Sequence, residues 1–361
     1  MISKTLNRPK SQSIAIAWKW FPQYAAQVIG QSRILQNASN ITLVGTKSAR
    51  PYKNLEETAG YPIHWIRDEE IPSWQDLGKE IPHLFITCGW AVPGFQALAR
   101  EVKQNGGVCI TTVDNRWRGD LRQFLGAVYY RLKLKRFFDG AWVAGASAER
   151  LMKYFGVPKN RIWKGLYGAD PEKFSPGPML SERPKRFLFV GSFLPRKGLT
   201  LLAQAWREFS SDFPDWECHL YGNGDPKTDW KDLPRFYTHS FVDPCDLPKL
   251  YQSHRCFVLP SNDENWGLVV HEALCSGCGL IVSDRVGSAE DLVTRNNGII
   301  FKSGSASDLL RAMIVFAQTY EHQQESLQRD ANQLRNTFGP QRWNQSLEEI
   351  LTTFHINPEK L

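Results

Sequence analysis

Short apolar runs of strand length alternate with helix-patterned stretches along most of this chain, and that alternation admits few folds. Ile14 to Ala17, Ile41 to Val44, Leu84 to Thr87, Val108 to Thr112 and Ala141 to Ala144 are such runs in the first half; Phe187 to Val190 and Cys256 to Leu259 belong to the second. Strands separated by helices build βαβ units, so the pattern predicts an α/β architecture of Rossmann-like sheets. The 361 residues exceed what one core usually holds, and 42% hydrophobic content is ample for two. Two lobes are expected, residues 1–178 and 179–338, joined within Asp170 to Pro184, where Pro171, Pro176, Pro178, Pro184 and Gly177 interrupt any regular period. A final unit, residues 339–361, has helical periodicity through Trp343, Leu347, Ile350 and Leu351.

The densest chemistry lies where the strand Cys256 to Leu259 gives way to a helix. Pro260-Ser261 stops the strand, and Leu268, Val269, Ala273 and Leu274 then recur with helical spacing. Glu264 therefore sits in the loop and Glu272 on the first turns of the helix. The amides of Gly267, Leu268 and Val269 lie at that helix's N-terminus, where unpaired N–H groups and the helix dipole favour an anion such as a phosphate. Two carboxylates beside an anion site suit a ligand that carries both hydroxyls and phosphates. Upstream, the strand Phe187 to Val190 enters the loop Gly191-Ser192-Phe193-Leu194-Pro195-Arg196-Lys197-Gly198. The planar fork of Arg196 and the point charge of Lys197 can clamp a diphosphate. A Walker-type loop is not the reading, since Lys197 precedes Gly198 and no Ser or Thr stands next to the lysine to hold magnesium. Leu220-Tyr221-Gly222-Asn223-Gly224-Asp225 is a further strand ending in a glycine turn.

Taken in order, these segments, together with Ser283-Asp284-Arg285-Val286-Gly287-Ser288-Ala289-Glu290-Asp291-Leu292-Val293, resemble the C-terminal half of the retaining glycosyltransferases of family 4. The resemblance runs from about Phe187 to Met313. It implies the GT-B fold: two Rossmann-like lobes facing across a cleft, with a C-terminal helix crossing back to the first lobe. It also implies a nucleoside-diphosphate sugar as donor, with a glycan, lipid-linked glycan or lipid as acceptor. Arg196 and Lys197 would then bind the donor diphosphate beside Gly191 and Ser192, Glu272 the ribose hydroxyls, and Glu264 the hydroxyls of the transferred sugar. The backbone from His239 to Val242, including Phe241 and Val242, would meet the nucleobase near Gly222. In a retaining transfer of the kind the resemblance implies, the leaving phosphate oxygen can take the acceptor's proton, which leaves the protein mainly electrostatic stabilisation and positioning; a covalent route through a carboxylate under the sugar ring is the alternative. Arg196 and Lys197 are the cations expected to keep a carboxylate at the ribose compatible with the pyrophosphate. No Asp-x-Asp occurs in the chain, so activity is expected with no cofactor and no structural divalent cation. A nucleotide-sugar epimerase or a non-catalytic nucleotide-sugar-binding module of the same fold are the alternatives. A dinucleotide oxidoreductase would need a Gly-x-Gly-x-x-Gly turn after the first strand, where this chain has Trp18-Lys19-Trp20-Phe21-Pro22.

The first half matches that family less well. Where many of its members carry a His-Asp pair, this chain reads Val113-Asp114, so Asp114 is either a binder of acceptor or sugar hydroxyls or a turn residue closing a strand. His64 and His83 are candidates by location alone. Formal charge is +7, and from Arg116 to Arg136 seven basic residues oppose Asp120, a local excess of 7 − 1 = 6. Leu121, Phe124, Leu125, Val128, Tyr129, Leu132 and Leu134 interleave with those cations. Two readings follow: a basic amphipathic helix at an anionic membrane surface, or a core-packed helix with a solvated basic face. Nucleic acid is not expected, because no binding motif or aromatic platform accompanies the charge. Seven cysteines cannot all pair within one chain, and Cys275-Ser276-Gly277-Cys278 has no second half-site for zinc. A reducing compartment follows. The N-terminus lacks a signal-like apolar run and no stretch reaches the length of a membrane span, so a cytoplasmic protein, in the membrane reading peripheral at the inner face, is expected.

Overall fold

The computed structural model describes residues 12–47, 54–225, 228–319 and 324–361. Seven parallel strands form the first sheet: β1 (Ile14–Trp18), β2 (Ile41–Thr46), β3 (Ile63–Ile66), β4 (Leu84–Cys88), β5 (Val108–Val113), β6 (Gly140–Val143) and β7 (Ile162–Lys164), in the order β3-β2-β1-β4-β5-β6-β7. Six more form the second: β8 (Arg186–Val190), β9 (Glu217–Tyr221), β10 (Phe236–His239), β11 (Cys256–Leu259), β12 (Gly279–Ser283) and β13 (Gly298–Phe301), in the order β10-β9-β8-β11-β12-β13. Most of these strands are unbroken apolar runs because helices cover both faces of a parallel sheet, leaving no side to be polar. In each sheet the chain reverses its direction of travel once, between β1 and β4 and between β8 and β11. Loops leaving the carboxyl ends of strands at such a reversal diverge and open a crevice.

The proline-rich connection is held down rather than loose. Phe174 and Leu180 are buried. Arg183, also buried, donates to the carbonyls of Pro178 at 2.9 Å, His254 at 3.0 Å and Ser276 at 3.0 Å. Those bonds tie the connection to the second lobe. The helix Pro340–Thr353 crosses back to the first lobe, as expected. Trp343, Leu347, Ile350 and Leu351 are its buried face, and Trp343 lies on Trp142 of β6 with ring centroids 4.9 Å apart. Ser346 and Arg342 donate to the carbonyl of Lys164 at the end of β7. Among the described residues no helix is long and apolar enough to cross a membrane.

Candidate active site in the interlobe cleft

Glu264 is set by two neighbouring loops of the second sheet. The loop after β11 carries it, and its backbone pairs with the turn after β12 through Glu264 N–H to Arg285 O at 3.1 Å and Gly287 N–H to Glu264 O at 3.0 Å. The loop after β8 brings the cations. Gly198 has φ +70°, and a Cβ there would fall 2.0 Å from the carbonyl oxygen of Pro260, so the two loops touch only because this residue is glycine. Arg196 Nη1 then lies 3.2 Å from Glu264 Oε2, and the Lys197 ammonium bonds the same oxygen. Arg196 is half-exposed, while Lys197 is buried.

Behind Glu264, Gly267 starts the helix Leu268–Cys275 with φ +85°. The first amides of that helix have no carbonyl one turn earlier to receive them and remain available to an anion. Glu272, one turn further in, is buried, and its carboxylate accepts from the Tyr251 hydroxyl at 2.9 Å. Burial pushes its pKa up to about 7, against the hydrogen bond from Tyr251 and the charge of Lys173. In this structure both cations contact Glu264, and neither is paired with Glu272. Glu272 points from the second helical turn toward Tyr251, whereas Glu264 shares the loop layer with the cations.

Asp114 follows the last residue of β5 and closes the cleft from the other lobe. Tyr167 donates to its carboxylate at 3.0 Å, and Tyr167 in turn packs on Tyr24 with centroids 4.4 Å apart. Burial raises the Asp114 pKa, and the charge of Glu264 across the cleft adds to the rise. A cavity of about 820 Å³ lies between them, lined by Asp114, Asn115, Arg118, Trp90, Tyr167, Arg196, Glu264, Gly267 and Leu268 among others. Gly191, Ser192, Lys197, Gly222, Phe241, Val242, Val269 and Glu272 do not line that cavity. Gly191 and Gly222 instead meet each other beside it, where a Cβ on Gly222 would strike the Gly191 carbonyl oxygen at 1.8 Å. Phe241 is exposed, and Gly222 N–H donates to His239 O at 3.2 Å. His64, on β3, and His83, hydrogen-bonded to Ser13, lie outside the cavity lining.

Several contacts around the site were not assigned from the sequence. Arg116 and Arg118 belong to the loop before the basic helix, not to the helix, and both pair with Asp263 of the other lobe at 3.0 and 2.6 Å. Asp291 accepts from the Ala146 amide at 2.9 Å across the cleft, at the start of the helix Ala146–Phe155, and burial pushes its pKa up to about 6. Arg150 and Glu290 make two further bonds between the lobes. His271 is buried, accepts from the Ala169 amide at 2.9 Å, and has its pKa pushed down to about 4 by desolvation, so it holds the connection as a neutral ring. Cys275 and Cys278 are buried free thiols, and among the described residues no group of three His, Cys, Asp or Glu side chains is placed to hold a metal.

Residues 171–333 match the family described as glycosyl transferases group 1. An uncharacterized glycosyltransferase of Haemophilus influenzae is 24% identical over 152 residues, which cover 40% of this chain and 43% of that protein. A D-inositol 3-phosphate glycosyltransferase of Corynebacterium kroppenstedtii is 26% identical over 196 residues, covering 46% of this chain and 43% of that protein. The chain thus spans about two fifths of the length of these curated relatives. The solved structure of Anabaena HepE with UDP and glucose superposes with a TM-score of 0.71 at 14% identity, covering 95% of this chain and 100% of that one. A glycosyltransferase structure from Rickettsia africae gives 0.72 at 13% identity over 96% of this chain and 99% of that one. At these identities the likeness concerns the fold, which is GT-B.

Proposed function

We propose, from the match of residues 171–333 to the group 1 glycosyltransferases, that the protein moves a sugar from a nucleoside-diphosphate sugar to a hydroxyl acceptor with retention at the anomeric carbon. The observation that carries the reading is Glu264, held by Arg196 and Lys197 at the strand reversal of the second sheet and facing Asp114 across the cavity. That arrangement offers cations and free helix amides to a diphosphate, and carboxylates on both sides to sugar hydroxyls. HepE's complex with UDP and glucose supports a donor of this class.

In this reading the diphosphate settles between Arg196, Lys197 and the amides of Gly267, Leu268 and Val269, near Gly191 and Ser192. Glu272 accepts from the ribose diol, and the base lies along Gly222, Phe241 and Val242. Glu264 accepts from the hydroxyls of the sugar, and Asp114 from those of acceptor or sugar. The bond from the anomeric carbon to the diphosphate oxygen breaks, the acceptor oxygen bonds that carbon on the same face, and the acceptor's proton passes to the leaving phosphate oxygen. Charge growing on the diphosphate meets donors already fixed in place, so little reorganisation is needed in the transition state. We further propose that these two cations make a divalent ion unnecessary. The acceptor is a glycan, a lipid-linked glycan or a lipid.

Titration with uridine, guanosine, adenosine and thymidine diphosphates in chelator-containing buffer tests the donor site. One of them is expected to bind, and the variant Arg196→Ala/Lys197→Ala to lose about a hundredfold for the diphosphate, from two charge-assisted bonds, with little change for the nucleoside. Binding of none of the four would overturn the assignment.

A further inference from the structure

The helix after the Asp114 loop has two apolar faces, and the fold uses one. It runs through Leu121–Tyr129, a π turn Tyr130–Leu134 and a final turn Lys135–Phe137. Gln123, Ala127, Tyr130 and Leu134 turn inward, where Tyr130 meets Trp90 and Phe155 with ring centroids at 5.2 and 5.5 Å. Leu121, Phe124, Leu125, Val128, Tyr129 and Leu132 recur at steps of three and one on the other side and stay in solvent, from 41% exposed at Val128 to 73% at Leu132. Six of the 15 exposed large hydrophobics among the described residues thus fall on one helix face. Single exposed apolar side chains are ordinary, but a contiguous stripe marks a contact surface.

Charge identifies what the stripe contacts. Arg122, Lys133, Lys135 and Arg136 are exposed around it, and Arg131 stands over the Tyr154 ring. The single acidic residue from 120 to 138 is Asp120, whose carboxylate caps the Gln123 amide at 2.8 Å. An apolar stripe bordered by cations matches the acyl and headgroup layers of an anionic bilayer when the helix lies in the plane of its surface. A second copy of the chain fits poorly, because a twofold contact would set the same cations against each other. Core packing accounts for Leu134 among the interleaved apolar residues and leaves the other six exposed.

The same helix supplies Arg122, Gly126 and Tyr129 to the rim of the cavity that holds Asp114 and Glu264. We propose that this face docks on the anionic surface of a lipid bilayer and holds the cleft mouth against it, so that the acceptor hydroxyl belongs to a membrane-anchored molecule. The acceptor assignment rests on the transferase reading above; the docking rests on the helix alone.

Cosedimentation of the full chain with vesicles tests it. Binding is expected to phosphatidylcholine vesicles that contain phosphatidylglycerol, to be weak for phosphatidylcholine alone, and to fall with added salt. Leu125→Ser/Leu132→Ser should abolish it, and Lys133→Ala/Lys135→Ala should weaken it by about fivefold per cation. Both pairs are solvent-exposed and outside the cleft, so nucleoside diphosphate affinity and the thermal midpoint should stay at the parent values. Binding that ignores phosphatidylglycerol, binding unchanged in the serine variant, or a solution dimer that the serine variant dissociates would each overturn the docking. Vesicle binding with no nucleotide binding would leave the docking standing and remove the transferase reading instead.

Discussion

Glu272 turns the donor site into a pH measurement. Its carboxyl has a pKa of about 7 because burial outweighs the bond from Tyr251 and the charge of Lys173. A ribose diol that donates to this group favours its ionised form and draws the pKa back down. Binding therefore selects the ionised fraction, which for such a pKa is about 9% at pH 6 and about 91% at pH 8. Affinity should rise about tenfold over those two units, equivalent to about 1.4 kcal/mol, and level off above. At pH 7 each binding event should release about half a proton. Calorimetry with an intact nucleoside-diphosphate sugar, whose diester phosphates do not titrate here, yields both quantities when buffers of different ionisation enthalpy are compared. Glu272→Gln should flatten the profile, since an amide keeps the shape and cannot ionise. A parent affinity that is flat or falls between pH 6 and pH 8 refutes an ionised Glu272 at the ribose.

Two further outcomes test how the cleft is held. Asp263→Ala leaves Arg116, whose side chain is 9% exposed, and Arg118 without their shared partner; chemical denaturation should show a loss of about 1–2 kcal/mol, discounted for the half-exposed carboxylate, and an unchanged midpoint would deny the bridge any role. Trp343→Ala removes a side chain 1% exposed that packs on Trp142; a loss of about 3–5 kcal/mol is expected in the same assay, and a loss under about 1 kcal/mol would mean that the C-terminal helix does not anchor to the first lobe.

Much of the architecture was legible because parallel strands buried on both faces leave a continuous apolar signature. β11 begins and ends at the residues read from the sequence, and β1, β4 and β5 extend the runs read there by one residue each. Glu264 in a loop and Glu272 on a helix followed from the change of period at Pro260. The interlobe contacts were not legible. Arg116 and Arg118 meet Asp263 some 147 and 145 residues away, and no local period records such a pair. The same holds for Asp291 at the Ala146 amide and for Tyr167 beside Asp114. The basic helix shows a different limit. Its sequence displays two apolar stripes, and only packing decides which one is buried.

The most direct test of the account is nucleoside diphosphate release from a panel of nucleoside-diphosphate sugars, measured with and without vesicles containing anionic phospholipid and extracted membrane lipid. One sugar nucleotide should be cleaved, faster when the lipid is present, and Glu264→Gln should suppress the release while nucleoside diphosphate binding persists. A protein that binds the nucleoside diphosphate but cleaves no member of the panel under either condition would contradict the transferase and leave a binding module.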